Sequence, residues 1–350
     1  MQRLCVGSYN RLWGAGIHVY SFDPTQSQFN LLCKDKTSRN PSFLAIDKTY
    51  LYAVNEVGKN GRIDVFVWKN NYASLERKSS ILVPGSAMCH IIQWPDKRHL
   101  SVANYMSGDF AVCNCHNGLL EDVETWVRHE GVGFDSKGRQ EKPHLHSTCL
   151  SPNADYLFAA DLGLDLITVH RIDTRNGRID EKPAMEIHLP QGAGPRHMCI
   201  SHDGRWLYVA AELNSSVYVY ELCDMSRAIM RQCFPMNPEG KRNLTAHIAL
   251  SSDGKYLYVS NRGLNNLHVF RIGGDNLLVD CGCFATGKGP RHFCISDDGL
   301  HVAIACQQDN FVQICSRNPQ TGAIENILTK VSARQPVFVQ ILSIQEASDE

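Results

Sequence analysis

The fold is decided by one stretch, Gly194-Pro-Arg-His-Met-Cys-Ile-Ser-His-Asp-Gly-Arg-Trp-Leu-Tyr-Val-Ala-Ala-Glu-Leu-Asn-Ser-Ser-Val-Tyr-Val-Tyr-Glu-Leu222. It reads as three strands. Residues 197–201 are a short apolar strand, and His202-Asp203-Gly204 turns it back, because Asp-Gly supplies the positive φ of a tight hairpin. Residues 206–211 are almost wholly apolar, as in a strand buried on both faces. Residues 212–216 interrupt the pattern, and 217–222 resume it with β-branched and aromatic residues. A hairpin brings its two outer ends together, so Arg196 stands beside Glu212 at one edge of the unit.

The pattern repeats. Residues 40–68 contain Pro-Ser-Phe-Leu-Ala-Ile-Asp and Leu-Tyr-Ala-Val-Asn-Glu, and 85–115 contain Cys-His-Ile-Ile and Leu-Ser-Val-Ala-Asn-Tyr. Residues 142–172, 244–272 and 288–317 give three further copies. Six units roughly fifty residues apart, each followed by one more strand such as 229–234 or 278–284, have the period of propeller blades. A seventh blade is split. Residues 335–342 read as an innermost strand with no partner after it, and 4–7, 17–22 and 29–34 as three outer strands with no innermost strand before them. Pairing the two ends closes the ring and removes open sheet edges. The expected fold is therefore all-β: one seven-bladed propeller over residues 1–344, four antiparallel strands per blade, almost no α-helix, and an acidic tail at 345–350.

Composition narrows the function. The 350 residues carry 35 basic and 36 acidic side chains, so no long-range field favours nucleic acid or a membrane surface. The N-terminus lacks the apolar core of a signal peptide, and no apolar run reaches a membrane span. The fourteen cysteines lie mostly in apolar strands, as Cys5, Cys199, Cys294 and Cys306 do, which fits small buried hydrophobes in a reducing, cytoplasmic compartment. Cys113-x-Cys115 and Cys281-x-Cys283 lack partners at zinc spacing, and Asp161, Asp165 and Asp203 read as turn residues, so no metal or other cofactor is expected.

The repeat separates architecture from function. One column recurs as histidine in four blades (His90, His197, His247, His292), the mark of a blade-stabilising partner. The preceding column varies: Cys89, His146, Arg196, Ala246, Arg291. So does the position ending the second strand: Glu56, Tyr105, Leu162, Glu212, Arg262, Gln307. Both variable columns fall on one rim around the axis, which brings Arg196, Arg262, Arg291, His146, Glu56 and Glu212 to one mouth. Converging arginines can be answered by internal carboxylates. Alternatively, they clamp a phosphate or carboxylate ligand. A histidine there can exchange a proton, an ionised Glu212 can orient or deprotonate water, and an arginine can stabilise an oxyanion. No Gly-x-Ser-x-Gly elbow supports a serine hydrolase. The polar, Gly-rich stretch 131–142 precedes an inner strand and should lie on the same face, either as a functional loop or as a loose insertion.

Several segments resemble the seven-bladed propeller lactonase family, which includes bacterial propeller-type 6-phosphogluconolactonases and fungal carboxymuconate-cyclising enzymes. They are Gly192-Ala-Gly-Pro-Arg-His-Met198, Glu212-Leu-Asn-Ser-Ser-Val217, Arg139-Gln-Glu-Lys-Pro-His-Leu-His-Ser147, Ala160-Asp-Leu-Gly163 and Ser251-Ser-Asp-Gly-Lys-Tyr-Leu-Tyr-Val-Ser-Asn-Arg262. Met88-Cys-His and Trp94-Pro-Asp-Lys depart from the family's commoner Pro-x-His and Ser-Pro-Asp-Gly. The resemblance implies a lactone hydrolase of carbohydrate metabolism. Its expected reaction is 6-phosphogluconolactone to 6-phosphogluconate, a pentose phosphate step. It implies catalytic roles for His146, Arg196, Glu212 and Arg262. Arg291, Glu56, His144 and His197 are then the expected binding residues for a small anionic lactone. Two other readings stand beside it: a carboxymuconate-type cyclase or lactonase for a carboxylated, non-phosphorylated substrate, and a non-catalytic propeller that binds partners on its rim.

Overall fold

In a computed structural model, residues 2–10, 14, 16–23, 28–58, 60–135, 137–173, 175–237 and 240–344 are described. The acidic stretch 345–350 lies outside them. Hairpins follow one another along the chain and build seven antiparallel sheets, with no helix among the described residues. Blades 1 to 6 occupy residues 44–83, 88–128, 145–188, 195–235, 244–285 and 290–332. Blade 7 joins Pro336–Ser343 to Gln2–Ser8, with Gln2 opposite Ser343 and Gly7 opposite Phe338. The two ends of the chain thus share one sheet, as the split repeat requires.

Burial follows position within a blade. Trp206–Ala211, a second strand, is buried along its whole length, whereas the outermost Ser74–Val83 is mostly exposed or half-buried. The apolar side chains form seven clusters, and each spans the interface between two successive blades, the seventh joining blade 7 to blade 1. No blade buries its own faces, so the closed ring is the unit of stability. All fourteen cysteines are unpaired; Cys5 and Cys306 are fully buried, Cys199 and Cys294 partly. Blade 3 departs from the simple four-strand pattern. Its third strand, Leu166–Asp173, pairs with two short pieces, Arg178–Ile179 and Met185–His188, because Pro183 lies between them and lacks a ladder donor.

Two features of the innermost strands position the site. First, the recurring column fills the axis. Ring centroids run from Phe43 to His90 at 4.3 Å, on to His197 at 5.3 Å, His247 at 5.1 Å, His292 at 4.0 Å, Phe338 at 4.6 Å and back to Phe43 at 4.8 Å. Blade 3 supplies the small Ser147 to this column, and its neighbour His146 packs against His197 at 5.3 Å. Second, strand register shifts between Met88 and His90, Leu145 and Ser147, Pro195 and His197, and Pro290 and His292. Each shift is a β-bulge that leaves one residue unpaired: Cys89, His146, Arg196 or Arg291. A bulge re-aims a side chain out of the regular pleat alternation.

Candidate active site

The position that ends the second strand is fixed by a backbone bond to the segment leading into the first. Glu212 N–H donates to Gly194 O at 2.8 Å, Tyr105 to Ala87 at 3.0 Å, Leu162 to His144 at 3.0 Å, Glu56 to Asn40 at 3.1 Å and Gln307 to Gly289 at 3.0 Å. Tyr9 N–H makes the same bond to Gln335 O at 3.1 Å, which adds blade 7 to the column.

Glu212 is the hub. Its Oε2 lies 2.9 Å from Arg196 Nε and 2.8 Å from Arg262 Nη2, and its Oε1 accepts from Arg139 Nη1. Arg196 Nη1 donates to Ala246 O of the next blade at 2.8 Å. The Arg196 Nε contact is ionic rather than directed: its N–H, like that of Arg262 Nε, is buried without an aligned acceptor among the described residues. A second group lies beside the first. Arg291 Nη2 donates to the Tyr9 hydroxyl at 3.1 Å, and that hydroxyl donates to Glu56 Oε2 at 2.7 Å. The Arg291 guanidinium also sits 5.5 Å from the Tyr9 ring centroid, a cation–π distance.

The electrostatics follow from crowding. Burial pushes the Glu212 carboxyl up, but Arg262, Arg196 and Arg139 outweigh it and hold the group well below the usual carboxylate range. Burial and repulsion from Arg262 and Arg291 pull Arg196 down to about 9, only partly offset by Glu212. Burial and the Arg196 charge hold His146 well below its ordinary value, so its ring is neutral at neutral pH. Four guanidinium groups (Arg139, Arg196, Arg262, Arg291) meet two carboxylates (Glu56, Glu212), which leaves an excess positive charge at the mouth.

Arg196, Glu212 and Arg262 are in direct contact, and Arg291 and Glu56 meet through Tyr9. His146 lies between the Tyr105 ring, at 5.6 Å, and the Cys89 thiol, whose Sγ is 3.9 Å from Nδ1. His144 stands at the periphery with both ring nitrogens engaged, Nδ1 by Tyr105 O at 2.9 Å and Nε2 by Glu141 at 3.1 Å. His197 belongs to the axial layer, where its Nδ1 shares a 2.8 Å hydrogen bond with His247.

Three contributors lie outside the expected set. Tyr9 extends a column that could have been continued into the split blade. Tyr105 was visible in that column as a variable residue. Arg139 sits on the described part of the 131–142 loop, next to Gln140, and reaches the mouth. There it bonds Glu212 and donates to the Tyr105 hydroxyl through Nε at 3.1 Å and Nη2 at 2.7 Å. The next residue, Gln140, anchors the loop: its buried amide donates to Leu162 O at 2.9 Å and Asp165 Oδ1 at 2.7 Å. Asp165 also accepts the N–H groups of Gly192 and Gly194, both at 2.7 Å, tying the loop to the segment that leads into Arg196. Asp161 accepts backbone N–H groups from His144, Gly163 and Leu164. Both carboxylates thus do more than cap turns: Asp165 joins segments distant in the chain, and Asp161 also meets His129 Nδ1 at 2.8 Å. Among the described residues, no three His, Cys, Asp or Glu side chains group as a metal site.

A model of the family described as "Lactonase, 7-bladed beta-propeller" matches residues 3–341. The chain belongs to this family. Among its relatives, a 6-phosphogluconolactonase of Formosa agariphila is 29% identical over 92% of this chain and 94% of its own. A 6-phosphogluconolactonase of Bacillus subtilis is 26% identical over 96% and 97%. The solved structure of a periplasmic gluconolactonase of Pseudomonas aeruginosa superimposes with a TM-score of 0.90 at 29% identity, covering 98% of this chain and 99% of that one. Family membership makes a lactone the coarse substrate class; the particular lactone is a separate question.

Proposed function

We propose that this lactonase-family protein hydrolyses an anionic sugar-acid lactone, 6-phosphogluconolactone, to 6-phosphogluconate. The observation that carries this reading is the charge at the mouth: four guanidinium groups against two carboxylates, with two buried Nε–H groups lacking directed acceptors. A phosphate ester carries about −1.5 to −2 near neutral pH and matches that excess. The names of the relatives supply the lactone.

In this mechanism Arg196 and Arg262 face the carbonyl oxygen, and Glu212 holds the attacking water. The water oxygen bonds to the carbonyl carbon as its proton passes to Glu212, and the two arginines stabilise the oxyanion. The bond from carbon to ring oxygen then breaks, and the ring oxygen takes the proton from Glu212. The new carboxylic acid ionises to solvent. Arg291, steadied by Tyr9 and Glu56, holds the phosphate, and neutral His146 accepts a hydrogen bond from a sugar hydroxyl. The test is to follow opening of 6-phosphogluconolactone and of gluconolactone by NMR, with and without protein. Acceleration well above the spontaneous rate, larger for the phosphorylated lactone, is expected. Failure to accelerate any lactone would defeat the reading and favour the binding-module alternative.

A further inference from the structure

Among the four guanidinium groups, Arg139 differs in kind. Arg196 and Arg262 rise from strands or their ends, with side chains 3% and 13% exposed, whereas Arg139 sits on a loop and is 44% exposed. It also occupies a separate oxygen of the hub. Arg196 and Arg262 share Glu212 Oε2, and Arg139 alone among the described residues bonds Oε1. Its other partner is a neutral hydroxyl, that of Tyr105.

We propose that Arg139 is a displaceable gate on Glu212: the anionic tail of an incoming lactone draws its guanidinium off Oε1, and the freed oxygen then holds the attacking water. This rests on the hydrolase reading above. The backbone supports a side-chain movement rather than a loop opening, since Gln140 is pinned to Leu162 and Asp165 immediately after Arg139. Before Arg139, Gly138 closes a turn onto Asp135 O and has a carboxylate oxygen where a Cβ would stand, so the turn is compact. Arg139 engages Glu212 through Nη1 alone, and its half-exposed guanidinium can trade that single bond for a forked one to an incoming oxyanion. With Arg139 withdrawn, two cations still hold Oε2, so Glu212 remains in position while Oε1 gains basicity. A neutral lactone has no charge to draw Arg139 away, and Glu212 stays masked. Arg139 therefore acts as a specificity-determining residue that rewards an anionic substrate in both binding and turnover.

The test compares Arg139→Gln and Arg139→Lys with wild type on 6-phosphogluconolactone and gluconolactone. Arg139→Gln should shrink the preference for the phosphorylated lactone by about 10- to 100-fold, the scale of a lost charge-assisted bond. The change should divide into a higher KM for the phosphorylated substrate and a higher kcat for gluconolactone. Arg139→Lys should recover part of the KM. The acid limb of kcat on gluconolactone should move to higher pH in Arg139→Gln, because Glu212 loses one cationic neighbour. An unchanged preference, or an equal fall in kcat on both substrates, overturns the gate and leaves the hydrolase intact. A wild type inert on both lactones defeats the hydrolase reading, and the gate with it.

Discussion

Arg196 and His197 are consecutive residues at the hub, yet they belong to two different layers. The histidine column is nearly uniform around the ring, aromatic or imidazole in six of seven blades, and its members pack ring to ring around the axis, some edge-on and some stacked. The layer one residue nearer the mouth is heterogeneous: thiol, imidazole, methyl and two guanidinium groups. The bulge separates them. A residue held in ladder pairing must satisfy the packing of every blade, whereas the unpaired residue of a bulge answers only to what faces it. Sevenfold architecture and asymmetric chemistry can therefore occupy adjacent positions without constraining each other.

Substitutions in the two layers should fail differently. The largest effect is expected for Glu212→Gln in the charged layer. Removing the hub carboxylate leaves buried guanidinium groups unanswered, costing about 3–5 kcal/mol in a denaturant melt. Lactone turnover should also fall by at least about 100-fold. Next, Arg196→Ala should lower turnover by about 100-fold or more. It should change stability much less, because Glu212 keeps Arg139 and Arg262; wild-type turnover would break the division between layers. His292→Ala, in the axial layer, should show the reverse pattern, losing about 2 kcal/mol of stability to a cavity while retaining most turnover.

The smallest effect is a slope. Burial, then the Arg196 charge, holds His90 and His292 down to about 3, against an ordinary value near 6.5. With the folded value below the unfolded one, the unfolded chain binds more protons between those limits. Stability from the neutral rings is complete above about pH 6.5 and is lost as pH falls toward 3. Glu212, also depressed, adds a loss in the same direction below its ordinary range. Unfolding free energy should thus begin to fall near pH 6.5, above the pH at which carboxylates titrate. His90→Phe, which copies the residue that blades 1 and 7 already use at this position, should reduce that slope by about 1.4 kcal/mol per pH unit. An unaltered slope would mean that this ring is not held neutral.

The fold was legible because a propeller states itself six times. Each Asp-Gly-type hairpin and apolar second strand repeats a local signal, and the unpaired segments at the two ends could only complete each other. The convergence of Arg196, Glu212 and Arg262 was legible for the same reason, since alignment of hairpins is alignment in space. Arg139 was not. Its loop was expected on the face of the mouth, but the segment has no counterpart in any other blade, so no column assigns Arg139 a partner, and its position depends on the Gln140 and Asp165 bonds between distant residues. The division of blade 3's outer edge escaped as well, because two short strands flanking Pro183 carry too few residues for a visible alternation. His146, which the repeat alignment places in the variable column, and His144, two residues away, were expected as a catalytic and a binding residue respectively. Their environments separate them: both nitrogens of His144 are occupied by Tyr105 and Glu141.

The sheet that joins Pro336–Ser343 to Gln2–Ser8 has a consequence during synthesis. The strand Gln2–Ser8 waits at the ribosome for Pro336–Ser343, across the six intervening blades. Until that partner emerges, the nascent product is an open arc, with Phe338 missing from the axis and Tyr9 without its anchor at Gln335. Such distant pairing is slow to form. A stalled translation product should therefore be catalytically silent and should present a bare β-edge to chaperones, so that arrival of the final strand switches on both closure and chemistry.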